Sequence, residues 1–194
     1  MMKENVGMNQ TDSDKLSLKM QTGDLTGVHM TGHYVDRIFK NGELVEEIKG
    51  QNLVVNSFLH LVMCLLKQQN GYSGIQYWAV GSGSASWDEN LINPSLGDTK
   101  LTREIGRVPI SPADISFLNS NFDKVSTLTN IIQIEHTFGT DECNGVWREF
   151  GIFGGNASAT LNTGIMINKR NHPVITKTEE MTIERVMRFT LSLV

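Results

Sequence analysis

The chain has 194 residues, 39% of them hydrophobic, with 17 Lys and Arg against 21 Asp and Glu, for a formal net charge of −4. That length fits one domain with an appendage. The negative balance, with no basic run longer than Lys169–Arg170, argues against a nucleic-acid partner, because neutralising phosphates takes clustered cations.

The first 28 residues are polar and lack a sustained period. They read as an extended or flexible N-terminal arm, with residues 29–194 as a single β-rich domain. Within the arm, Leu16, Leu18 and Met20 alternate and are candidate anchors on a neighbouring subunit. Lys3 to Lys15 contains no apolar stretch of signal-peptide type, so export by a classical route is not expected.

His33–Lys49 predicts a β-hairpin. Asn41-Gly42 lies between two apolar runs, and a type I′ turn needs positive φ at both of its central residues. Asn52–Val55 continues as a short strand. The most apolar stretch, within Gln51–Gly71, predicts one long buried α-helix over about 57–69. Asn56 and Ser57 are N-cap types and Gly71 suits the position past the C-terminus. This run is shorter than the ~20 apolar residues of a bilayer span, so no membrane partner is expected.

Ile75–Val80 predicts a strand that stops at Gly81-Ser82-Gly83-Ser84, and Ala85–Lys100 an irregular loop holding Trp87. Leu101–Ile110 carries Pro109, with Pro112 just after it, which keeps it at an edge or outside regular pairing. Lys124–Phe138 predicts a long strand with a bulge near Asn130, and Val146–Phe153 another strand. Ile165–Lys169 and Val174–Thr178 predict two short strands interrupted by Asn171-His172-Pro173. In Met181–Leu193, apolar residues alternate with polar ones, and Arg185 alone breaks the apolar row, which marks an end-of-core or interface position. One helix among many strands predicts a mainly β fold, a β-sandwich or flattened barrel carrying the helix.

The residues do not assemble into a familiar reactive constellation. Gly81–Ser84 has no following Lys, the five histidines show no zinc spacing, and Cys143 with His136 is the nearest approach to a nucleophile and base. Cys64 and Cys143 are too few for a disulfide framework and fit a reducing compartment. No enzyme activity, catalytic residue, metal or cofactor is expected. Trp87 is the one tryptophan outside a strand pattern and is the candidate stacking platform for a saccharide. Arg103, Glu104, Arg107, Arg148 and Glu149 recur beside apolar strand residues. They read either as ordinary surface pairs or as a polar belt between subunits.

Several short motifs follow one another in a set order: Asn52–Asn56 running into the helix, Ile75–Gly83, Asp98–Glu104 with Arg107, Arg148–Gly154, Gly164–Arg170, Ile175–Thr178 and the final strand. In order and spacing they resemble those of small tailed-bacteriophage virion proteins of tail-fibre, baseplate and collar type. The resemblance covers about Gly50–Val194. It implies a non-enzymatic building block, assembled in the host cytoplasm and carried in the virion, that forms rings or trimers with itself and contacts other virion proteins. The alternative, from a different class, is a receptor- or glycan-binding module of a phage tail that uses the 82–100 loop, with a host-surface glycan as its candidate ligand.

Overall fold

A computed structural model of the chain describes residues 27–193. Residues 27–29 and 191–193 fall in one unit and Met30–Thr190 in another, and the larger unit holds the core of the sheet. Leu16, Leu18 and Met20 lie outside the described residues.

Ten strands form the framework: β1 Val28–Lys40, β2 Glu43–Val54, β3 Ser73–Gly81, β4 Glu104–Pro109, β5 Ile115–Leu118, β6 Lys124–Val125, β7 Ile131–Phe138, β8 Gly145–Gly155, β9 Ile165–Lys177 and β10 Met181–Leu193. They join in one sheet in the order β4-β3-β8-β9-β2-β1-β10-β7-β5-β6. The expected mainly β class holds. The architecture is a single antiparallel sheet curled into a half-barrel, in place of the expected β-sandwich or flattened barrel. β2 makes this possible. It pairs with β1 over most of its length and with β9 only at Leu53 and Val54, so one long strand serves both halves.

Tyr34, Ile38, Ile134, Phe138, Ile183, Met187 and Phe189 from one half share a core with Trp78, Trp147, Phe150, Ile152 and Ile167 from the other. Strand periodicity explains their selection, since alternate residues of a strand face one side. Along β10 the inward row is Ile183, Arg185, Met187 and Phe189.

The hairpin turn is as the sequence predicts, with Asn41 at φ 51° and Gly42 at φ 84°. The helix is not. α1 covers Ser57–Leu66, and only Ser57 and Leu61 are buried. Leu59, Met63 and Leu66 are 62%, 63% and 72% exposed, so the expected long buried helix is short and lies on the surface. It ends early, with Gln68 already in a left-handed conformation (φ 56°); Gly71 has the expected positive φ (77°) too, but several residues past the helix end. Asn56 makes no side-chain cap, and the Ser57 hydroxyl donates to the Met166 carbonyl at 2.7 Å, tying the helix to β9 instead.

Lys124–Phe138 is also divided. β6 stops at Val125, and Thr129 Oγ1 both donates to the Ile131 carbonyl (3.0 Å) and accepts from its N–H (3.3 Å), a local turn just before β7 begins. Conversely, β9 runs unbroken through Asn171-His172-Pro173. Pairing with β8 jumps from Trp147–Ile175 to Glu149–Asn171, and this irregularity accommodates a proline that has no N–H to give.

Candidate functional site

Four ion pairs organise the molecule around β8, β9 and β10. The innermost joins β10 to β1: Arg185 donates through Nε to Asp36 Oδ1 at 2.7 Å and through Nη2 to Oδ2 at 2.6 Å. Both side chains are fully enclosed. The guanidinium stands 3.9 Å from the centre of the Phe150 ring and 5.5 Å from that of Trp147, with Trp78 and Phe138 completing the surround. A planar, weakly hydrated cation suits such an aromatic cage. His172 is part of the same interior. Its Nδ1–H donates to the Pro173 carbonyl at 2.7 Å, and burial, reinforced by the Arg185 charge, holds its pKa down to about 4. It is therefore neutral at pH 7.

The second pair secures the segment before β4. Glu149, wholly buried, accepts from the Thr102 N–H at 2.9 Å and the Arg103 N–H at 2.8 Å. Lys169 lies 3.3 Å from both Glu149 and Asp98. Gly81 has to be glycine here, because a Cβ would press into the Glu149 carboxylate and the Arg103 carbonyl.

The third is a bidentate Arg107–Glu104 pair, buried on both sides. It clasps the loop after β8: Arg107 donates to the carbonyls of Ser158 (2.8 Å) and Thr163 (3.2 Å), and the Asn162 N–H donates to Glu104 at 2.8 Å. Arg107 also stacks over Phe153 and Tyr77.

The fourth pair, Arg148–Asp88, is bidentate at 2.7 and 2.6 Å and holds the Asp88 carboxyl below its ordinary range. With Asn171 donating to the Ile92 carbonyl at 2.8 Å, it docks the long 85–100 segment onto the sheet. Trp87, in the 3-10 turn Ala85–Asp88, is 8% exposed and packs over Gly83. The expectation of an open stacking platform at Trp87 does not survive this burial.

The sequence-predicted site residues thus separate. Trp87, Glu104, Arg107, Glu149 and Arg185 are enclosed within the chain, where they fix loops and halves of the sheet. Arg148 and the exposed Arg103 line a shallow open cleft of about 410 Å3 together with Ser82, Ile105, Asn144 and Val146. Beside it, burial first and Glu142 second push the Cys143 thiol up to about 11, so it stays protonated at neutral pH. His136 turns to Glu142 at 3.1 Å. Among the described residues no cluster of three or more His, Cys, Asp or Glu is placed to hold a metal.

Asp36 escaped the sequence reading, which noted Lys169 and His172 only as part of a basic pair and of a strand break, not as buried partners. Asp36 had a signal: it stands in the apolar row Tyr34, Asp36, Ile38, just as Arg185 stands in its own row. Opposite charges breaking two inward rows mark a buried pair.

The outward surface is apolar at Leu59, Met63 and Leu66 of α1 and at Leu44 and Val45 near the hairpin turn. No known protein family, curated protein or solved structure matches this chain.

Proposed function

We propose that the chain is a non-enzymatic structural component of a bacteriophage virion, a tail, baseplate, collar or fibre-attachment protein that works through contacts with its own copies and with neighbouring virion proteins. The observation that carries this reading is the contrast between interior and surface. Buried carboxylate–guanidinium pairs tie β10 to β1 and clasp the loop after β8, while large apolar side chains on α1 and the hairpin face outward. A rigid body with exposed apolar groups suits assembly. The resemblance in motif order to small tailed-phage virion proteins supports reading that assembly as a phage particle.

Two measurements test the reading. Sedimentation or native mass spectrometry over a concentration series is expected to show a closed oligomer, and mass spectrometry of purified particles is expected to detect the chain. A protein that stays monomeric at high concentration and is missing from particles overturns it.

A further inference from the structure

We propose that the outer edge of β2, centred on Ile48, pairs antiparallel with the same edge of a second copy across a twofold axis, with Glu47 of each copy opposite Lys49 of the other. This rests on the proposed assembly role and names the surface that would carry it.

The edge is defined by hydrogen-bond direction. Asn41-Gly42 forms a two-residue turn, so Lys40 and Glu43 are the closing hydrogen-bonded pair and bonding alternates along β1 from there. The register shift at Ile38/Phe39 leaves Val45 as a bulged residue. Beyond it, Ile48 opposite Asp36 and Gly50 opposite Tyr34 bond inward to β1. Glu47, Lys49 and Gln51 turn their N–H and C=O groups to the other side. Val55 confirms the parity: its N–H, an even number of residues further along, donates across to the Ile167 carbonyl at 3.1 Å. Yet among the described residues β2 meets β9 only at Leu53 and Val54. From Glu46 to Gln51 the edge pairs with no other described strand, contains no proline, and is exposed at most positions.

An unpaired edge of this length is a template for another strand. Charge selects the occupant and the register. A twofold antiparallel pair places a residue opposite itself at the axis. An axis at Glu47 puts two carboxylates together, and an axis at Lys49 puts two ammonium groups together, both unfavourable for directly opposed residues. An axis at Ile48 sets Glu47 against Lys49 twice and Ile48 against Ile48. Glu46 then faces Gly50, which has no side chain to obstruct it. Within one copy, Lys49 already lies 2.7 Å from Glu47, so joining two edges makes an alternating four-charge row. The bulge at Val45 ends the pairing on one side, and the junction with β9 ends it on the other.

The test uses the full chain. Glu47→Lys and Lys49→Glu each create like-charge contacts and are expected to weaken self-association by about tenfold or more. Lys49→Glu leaves the Arg37–Glu47 pair (3.0 Å) in place, which separates the edge contact from damage to the hairpin. Mixed in equal amounts, the two variants are expected to associate with each other, since every Glu then faces a Lys. Ile48→Cys is expected to form a disulfide-linked dimer under mild oxidation, the link mapping to the position-48 peptide and not to Cys64 or Cys143. If the wild type is oligomeric but both charge variants associate as it does, or position 48 does not cross-link to itself, this interface is wrong and the assembly reading stands. If the wild type is monomeric at every concentration, the assembly reading fails and takes the interface with it.

Discussion

Arg185 on β10 and Asp36 on β1 meet through two hydrogen bonds of 2.7 and 2.6 Å, with neither side chain reaching solvent. The guanidinium lies against Phe150 and Trp147 of β8, so the pair touches both halves of the curled sheet at once. Taking two charges out of water is costly, and attraction offsets that cost only while both partners remain.

Removing one partner should therefore be worse than removing both. Asp36→Ala leaves the Arg185 charge stranded among aromatic rings and should cost about 3–5 kcal/mol. Asp36→Leu combined with Arg185→Met replaces the pair with apolar groups of comparable volume and should cost much less, or nothing. Guanidinium unfolding of the two variants decides the matter: a double variant as unstable as the single one would show that the pair itself stabilises the fold.

The neutral His172 gives the protein an acid-sensitive interior. Unfolded, the imidazole titrates near 6.5, whereas folded it resists protonation until about 4. Between those values the unfolded chain binds a proton that the folded chain refuses, so stability falls as pH drops from about 6.5 to about 4 and levels off below. The loss from this one group is about 3 kcal/mol. His172→Gln should flatten the slope through that window whatever it does to stability at pH 7. Urea unfolding at pH 7, 5.5 and 4.5 checks this, and parallel curves for wild type and variant would sink it.

Much of the strand pattern was legible because burial follows a two-residue period. The alternation in Met181–Leu193 and the turn at Asn41-Gly42 both appear where the residues put them. The helix misled because an apolar sequence does not say what covers it. Leu59, Met63 and Leu66 point outward, and only the tertiary arrangement decides which side of α1 meets the sheet. The ion-pair network was half legible. Arg107, Glu104, Arg148 and Glu149 stood out, but their partners lie on loops distant in sequence, such as Ser158, Asp88 and Thr102. Charged residues beside apolar ones fit a surface belt as well as buried anchors, and depth in the core is set by the curl of the whole sheet.

Glu149 should control the order of the segment leading into β4. Its two oxygens accept separate backbone N–H groups, from Thr102 and Arg103. Glu149→Gln replaces one acceptor oxygen with an NH2 group, which leaves one of those donors facing another donor and withdraws the charge opposite Lys169. A loss of about 2–3 kcal/mol is expected. Hydrogen exchange should rise sharply at residues 98–103 and little in β10. Uniform acceleration across the chain would mean that Glu149 supports the whole fold and not this segment.

The two faces of α1 should respond in opposite ways to truncation. Leu61 is 1% exposed and belongs to the main core cluster, packed where the chain passes Gly154. Leu61→Ala should cost about 2–5 kcal/mol, the cavity it leaves adding to the lost transfer energy. Leu59 and Leu66, on the outward side, should each tolerate Ser within about 0.5 kcal/mol in the isolated chain, because little apolar area returns to water. Under the proposed assembly role, with α1 meeting a neighbouring virion protein, Leu59→Ser with Leu66→Ser should lower incorporation into particles while leaving the thermal midpoint almost unchanged. A large drop in that midpoint would instead mean that these leucines are covered within the folded chain.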